Sequence, residues 1–408
     1  MKKNKILKMK IIERADYQNY LWSIKNTPDI KVITGIRRAG KSEMMKSFVN
    51  HLKMSDANAN IVYADLSILE NEPLLEYHNL YEWAKNRHQV GRNNYLLIDE
   101  VQLCKHFELS INSLHSLGIY DIYLTGSNAF LLSSDLATLF TGRHIEIHVL
   151  PFSFKEYCTY FESDNDLQTL FDQYVVDGGL SGSYVYGNER GRKDYIKNVY
   201  HTILRRDLTG KYHLPDSRML EQVTEYMMDN ISNTTSPNNV SNCLSANGTA
   251  TNHSTVGAYL KYLCDAFVLY KVSRYDIRGK KYLQSLDKYY LADTGIRFAV
   301  LGKRNMDYGR VYENIVALEL LRRGYSIYVG KLYNKEIDFV AMRENEKIYI
   351  QVSDDIGNPE TFQRETDPLM KIRDAYPKIL IARTRHEFYD YQGIKIFDLA
   401  LWLKGADF

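Results

Sequence analysis

The chain has 408 residues, 45% apolar and 25% charged, with a formal net charge of +2. That length argues two to three domains, the composition is that of an ordinary soluble globular protein, and the charge is too small to argue nucleic-acid binding, so any basic surface must be local. Cys104, Cys158, Cys243 and Cys264 lack C-x-x-C spacing, which argues against zinc fingers and a disulfide framework and fits a cytoplasmic home; neither a signal peptide nor a membrane span is expected.

Residues 1–28 carry lysines and then Tyr17, Tyr20, Leu21 and Trp22, a helix leading into the first strand. Ile30, Val32 and Ile33 form a β-branched run that ends at Gly35, and a helical pattern (Glu43, Met44, Met45, Lys46, Phe48) follows Ser42. Strand, tight loop and helix around G-x-x-x-x-G-K-S are the setting of a phosphate-binding loop, the P-loop. Gly35 and Gly40 let the backbone of Ile36, Arg37, Arg38 and Ala39 curl, so that successive N–H groups cradle an anion at the helix start. Lys41 is expected to reach the β- and γ-phosphates of ATP, and Ser42 to give its hydroxyl to Mg²⁺, a cation that wants oxygen ligands.

Residues 61–65 read as a second strand and 74–92 as an exposed helix. Tyr95, Leu96, Leu97 and Ile98 form an unbroken apolar run, as a strand buried on both faces should, and it ends in Asp99-Glu100. Ligands in such sheets sit at the carboxyl ends of the strands, so Asp99 is placed to hold Mg²⁺ through water and Glu100 to orient or deprotonate the attacking water. A helix over 107–117 follows, then strands over 119–124 and 145–150. Strands alternating with helices argue a parallel sheet with helices on both faces. A strand between the phosphate loop and the Asp-Glu strand would carry a polar residue beside the γ-phosphate. Ser127 and Asn128 are the candidates, Asn128 first, against the alternative that they cap the next helix.

G-I-R-R-A-G-K-S, L-I-D-E-V-Q, T-G-S-N followed by F-T-G-R, and P-F-S-F-K-E-Y resemble the archaeal and bacterial AAA-type ATPases of the additional-strand, catalytic-glutamate class, whose C-terminal region carries a domain of unknown function. The resemblance implies a five-stranded P-loop core, a helical lid, a winged helix and a C-terminal α/β domain related to restriction endonucleases. It also implies that Arg143 is an arginine finger acting on a neighbouring subunit's nucleotide in a homo-oligomer, where a guanidinium neutralises charge on the γ-phosphate oxygens.

Residues 151–218 fit the lid and linker, with Arg205-Arg206-Asp207 a charged helix end that is either near nucleotide or solvated. Residues 231–254 have a linker's composition, yet Ser236-Pro237 starts a helix. Val256, Tyr259, Leu260 and Leu263 then give an amphipathic helix with Ser254 as its cap. Strands flanking residues 276–279 make a hairpin, and Arg274, Arg278, Lys280 and Lys281 make it basic, suited to DNA phosphates in a winged helix over 219–299; the alternative is a solvated hairpin in a protein-binding module.

From 300 to 408 a helix bearing Glu313 and strands around Asp338 and Gln351 resemble the nuclease fold with an Asp followed by Glu-x-Lys. Here Gln351 and Ser353 stand at the Glu and Lys positions, so one negative charge and the base are missing, and a domain that does not cleave is expected. The reading is an α/β, ATP- and Mg²⁺-dependent hydrolase: P-loop core 1–150, lid 151–218, winged helix 219–299 and nuclease-like domain 300–408. It couples nucleotide state to DNA binding or remodelling; the alternatives are an ATP-dependent signalling or assembly switch with a protein partner, and an ATP-regulated nuclease.

Overall fold

The structure, a computed structural model, describes residues 10–406 apart from 127–137, 139, 141, 163–165, 215–216 and 304–305, and apart from the side chains of 284–285. The chain forms two compact units, one of residues 8–149 with 205–213 and one containing 150–204 and 214–408. Residues 205–213, assigned above to the lid, therefore cluster with the phosphate loop's unit.

In the first unit, β1 (Ile30–Thr34), β2 (Ala59–Asp65), β3 (Asn93–Asp99), β4 (Asp121–Thr125) and β5 (His144–His148) form a parallel sheet in the order β2-β3-β4-β1-β5. Helices α1 (Ala15–Ser23), α2 (Lys41–Ser55), α3 (Tyr77–Lys85) and α4 (Phe107–Leu117) accompany it. The inner strands β1, β3 and β4 are largely apolar because both faces are covered. Ile30, Val32, Leu96, Ile98, Ile122 and Leu124 pack against Leu80, Ala84, Ile111 and Leu114 on one side. Lys31 is the exception inside β1: fully buried, its ammonium donates to Asp121 Oδ1 and to the Thr27 carbonyl, both at 2.6 Å. The helix expected over 74–92 is shorter. A 3-10 turn containing Pro73 precedes α3, and the Asn94 side chain holds the chain after it in a turn, accepting from Gln89 N–H at 2.9 Å and donating to the Gln89 and Arg92 carbonyls.

The second unit begins with α5 (Phe154–Phe161), closed at its start by a reciprocal Ser153–Glu156 capping box, then α6 (Leu167–Asp177) and α7 (Glu189–Thr202). Of the buried tyrosines here, Tyr157, Tyr174 and Tyr184 keep their hydroxyls bonded, to Asp177, the Phe152 carbonyl and the Gly178 carbonyl respectively. Helices α8 (Ser217–Asp229), α9 (Pro237–Ala246) and α10 (His253–Asp265) follow. The Ser- and Asn-rich stretch is ordered by its caps: Ser236 accepts from Asn239 N–H, and Asn252, rather than Ser254, accepts from Thr255 N–H because α10 begins at His253.

Next come β6 (Leu269–Asp276), β7 (Lys281–Leu291), α11 (Thr294–Leu301), α12 (Tyr308–Arg322), β8 (Ser326–Leu332), β9 (Lys335–Arg343), β10 (Glu346–Ser353), α13 (Pro359–Met370), β11 (Lys378–Ala382), β12 (Tyr389–Tyr391), β13 (Ile394–Asp398) and α14 (Leu399–Lys404). The strands make one eight-stranded mixed sheet in the order β12-β13-β11-β10-β9-β8-β6-β7. The β6–β7 hairpin is thus the edge of the sheet that continues past residue 300. Arg274 pairs with Val329 in parallel register, and Ile277 N–H donates to the Lys331 carbonyl at 3.0 Å. A boundary at 300 would cut those backbone bonds. At Gly330 of β8 an added Cβ would lie 2.8 Å from Ile337 Cβ, so glycine is required for β8 and β9 to approach. Among the described residues no helix is long and apolar enough to cross a membrane.

Candidate active site

The loop after β1 is shaped by sterics. Gly35 has φ +140°, and an added Cβ there would lie 2.2 Å from the Val149 carbonyl oxygen. That approach is fixed by Val149 N–H donating to the Thr34 carbonyl at 2.8 Å. Arg38 (φ +69°) and Gly40 (φ +94°) turn the chain into α2, which begins at Lys41 and leaves the N–H groups of its first turn without intrahelical acceptors. Ile36 and Ala39 are buried, so they offer the loop's backbone rather than side chains, while Arg38 is exposed. Lys41 Nζ donates to the Gly35 carbonyl at 2.7 Å and the Ile36 carbonyl at 3.2 Å. Burial pulls its pKa down to about 8, with the Glu100 charge acting in the opposite sense.

Arg37 is committed elsewhere. Its Nε and Nη2 donate to the two oxygens of Asp207 at 2.7 and 2.8 Å, and this bonding raises the guanidinium's pKa. Asp207 is buried and grips the phosphate loop, while Arg205 and Arg206 of the same charged run are exposed, as the solvated alternative expects.

Because β4 lies between β1 and β3, three hydroxyl and carboxylate groups meet at the sheet's carboxyl edge. Ser42 Oγ donates to Asp99 Oδ1 at 3.1 Å, and Thr125 Oγ1 donates to the same oxygen. Asp99 Oδ2 is buried with no hydrogen-bond partner among the described residues, and burial raises the pKa of this carboxyl. A carboxylate with one oxygen unmatched beside a serine hydroxyl is a donor set that a hard, oxygen-seeking cation fits.

Glu100 takes a left-handed backbone conformation (φ +55°), at a cost of about 1–2 kcal/mol for a residue with a side chain. Its N–H donates to Thr125 Oγ1 at 3.2 Å and its Oε2 accepts from Gln102 Nε2. Thr125 and Gln102 were missed in the sequence, although T-G-S-N ends the right strand. Ser127 and Asn128 lie outside the described residues. On the other side of β1, Thr34 Oγ1 donates to Glu146 at 2.7 Å and lies 3.3 Å from His148 Nδ1. Burial, reinforced by the Lys41 charge, pulls His148 down to about 4, which keeps it neutral at physiological pH.

Arg143 is exposed just before β5. Its carbonyl accepts from Ile30 N–H at 3.0 Å, and Ile30 sits opposite His144 while Thr34 sits opposite His148. Arg143 is therefore at the amino edge of the sheet, a strand's length of roughly 13 Å from its own phosphate loop. That separation exceeds an arginine side chain.

In the second unit Arg278, Lys280 and Lys281 are exposed at the tip of the β6–β7 hairpin, and Arg274 lies lower on β6. The Arg278 guanidinium stands 5.2 Å from the centre of the Tyr333 ring in the β8–β9 turn, and Tyr282 and Tyr333 are about three-fifths exposed (60% and 61%). The structure thus adds aromatic faces from a second turn to the basic tip. Glu313 and Asp338 converge on Lys288, and Gln351 touches both Asp338 N–H and Glu365, whereas Ser353 Oγ turns away to the Asp355 carbonyl.

Residues 27–158 match an AAA domain family, and residues 168–307 match a domain of unknown function (DUF8612). An uncharacterized protein of Haemophilus influenzae is 36% identical over 398 residues, covering 96% of this chain and 98% of its own. An uncharacterized protein of Methanocaldococcus jannaschii is 26% identical over 363 residues, covering 84% and 79%. A Walker-type ATPase of Pyrococcus abyssi superposes with a TM-score of 0.44 at 15% identity, over 71% of this chain and 95% of that one.

Proposed function

We propose that this chain, which belongs to one family with the Haemophilus influenzae protein and whose residues 27–158 match an AAA domain family, is an AAA-type P-loop ATPase that hydrolyses ATP at the Lys41–Asp99–Glu100 site and couples nucleotide state to DNA binding or remodelling. The observation that carries the hydrolytic reading is Asp99, with one oxygen on Ser42 and Thr125 and the other buried without a partner among the described residues at the mouth of the phosphate loop.

Ser42 Oγ and Asp99 would hold Mg²⁺, which neutralises charge on the β- and γ-phosphate oxygens. Lys41 leaves the loop carbonyls for the phosphates, and the loop N–H groups bind the remaining oxygens. Glu100, oriented by Gln102 and by its own backbone bond to Thr125, accepts a proton from the attacking water; Asn128, outside the described residues, is the candidate for a polar contact to the γ-phosphate. Arg143, a strand's length from its own loop, serves a neighbouring copy in a homo-oligomer. Four cysteines without a disulfide among them suit a cytoplasmic protein.

DNA contact rests on Arg274, Arg278, Lys280 and Lys281, on a hairpin that follows three helices in winged-helix order. Such basic side chains position a phosphate backbone without reading sequence. The restriction-endonuclease-like region from 300 onwards is a non-cleaving scaffold in this reading, since Gln351 is neutral and Ser353 is engaged with Asp355. A second reading, an ATP-dependent assembly switch that captures a protein, draws on the Arg37–Asp207 clamp, through which a loaded loop acts on the segment 205–213. ATP turnover measured with and without duplex and single-stranded DNA separates the two. Stimulation is expected; unchanged turnover together with ATP-dependent capture of a protein supports the switch instead.

A further inference from the structure

Lys288 on β7 is 3% exposed, and its ammonium is ringed by acid groups. Glu313 Oε1 on α12 lies at 2.8 Å, Glu336 Oε1 on β9 at 2.9 Å and Asp338 Oδ1, two residues along β9, at 3.7 Å. Further bonds surround the cluster, while the Glu336 side chain keeps 37% exposure. Tyr290 donates its hydroxyl to Glu313 Oε1 at 2.7 Å, Asp338 Oδ2 accepts from Val352 N–H at 2.8 Å, and Gln351 bridges Asp338 N–H and Glu365.

Two costs cancel only if these groups stay together. A buried ammonium without counter-charge costs several kcal/mol, and carboxylates crowded in a dry site repel one another. Burial acts to lower the Lys288 pKa, but Glu313, Asp338 and Glu336 outweigh it, and the net shift is upward. Oxygens at 2.8–2.9 Å from Nζ stand at charge-assisted hydrogen-bond distance, so the ammonium already fills the space between them.

We propose that Lys288 is a built-in counter-ion that occupies the place of a divalent cation among Glu313, Glu336 and Asp338, leaving the cluster complete and closed to metal. The inference concerns these side chains alone and does not depend on the ATPase reading. It also explains how the buried Glu313 and Asp338 persist without serving a metal-dependent reaction.

The test counts Mn²⁺ bound per full-length chain by equilibrium titration without nucleotide. In the parent, Asp338→Ala should leave the number unchanged. Lys288→Ala should gain one Mn²⁺ per chain, and Lys288→Ala with Asp338→Ala should lose that gain. A parent that gives up a Mn²⁺ ion on Asp338→Ala, or a well-folded Lys288→Ala protein that gains none, overturns the proposal. If Lys288→Ala does not fold, Lys288→Met is compared with Lys288→Met/Glu313→Gln by thermal unfolding. Removing one uncompensated carboxylate should raise the midpoint; a double variant no more stable than Lys288→Met contradicts the counter-ion role.

Discussion

Replacing Asp207 by Asn separates the clamp on the phosphate loop from the loop itself. The native pair is bidentate at 2.7 and 2.8 Å; Asp207 is buried, and the Arg37 side chain keeps 20% exposure. Breaking a fully buried pair costs about 3–5 kcal/mol, and the solvent access left to Arg37 reduces this to about 2–3 kcal/mol. For a unit of this size each kcal/mol moves the midpoint by about 2–4 °C, so a drop of roughly 4–12 °C is expected. Nucleotide affinity should behave differently, because Arg37, freed from Asp207, can turn to the phosphates: binding should hold or tighten while stability falls. Thermal unfolding and nucleotide titration of Asp207→Asn, Arg37→Ala and the double variant close a double-mutant cycle. A coupling energy below about 0.5 kcal/mol would show that the pair carries no such stabilisation and refute the reasoning.

Mixing Lys41→Ala with Arg143→Ala, each inactive alone, should restore turnover, since mixed interfaces pair an intact loop with an intact finger; no recovery in proven mixed oligomers points to a structural role for Arg143. Replacing Arg278, Lys280 and Lys281 together by Ala should weaken binding to unrelated duplexes about equally and flatten its salt dependence; an unchanged salt slope removes DNA from this surface. Lys41, held near 8 by burial, gives ATP binding a pH dependence of known sign. Phosphate charge favours the ammonium, so above pH 8 binding must take up a proton and affinity should fall by up to tenfold per pH unit, whereas flat affinity from pH 7 to 10 excludes this.

What was legible in the sequence was local. The phosphate loop, the apolar strand ending in Asp99-Glu100 and the parallel sheet follow from spacing and from the absence of polar residues where both faces are covered. Partnerships across long stretches of chain were not legible. Asp207 meets Arg37 across 170 residues, and nothing near either marks the pair. Lys288 in D-K-Y-Y-L reads as a strand lysine, yet the fold buries it against α12 and β9. Thr125 is passed over because the polar residue of T-G-S-N is sought at Ser127 and Asn128, two and three positions further along the chain. The sheet's extent was misjudged because β8 contains Gly330 and Lys331, which weaken an alternating pattern, and because β12 spans only Tyr389–Tyr391.

The most direct test of the central claim is ATP binding and turnover by Glu100→Gln beside the parent and Lys41→Ala. Loss of the carboxylate removes the proton acceptor but leaves Lys41, Ser42 and Asp99 in place, so ATP should bind with an affinity within a few fold of the parent while turnover falls by about 10²–10⁴-fold, the range of general-base catalysis. Lys41→Ala should lose binding itself. A Glu100→Gln protein that hydrolyses ATP at the parent's rate contradicts the assignment of the hydrolytic site.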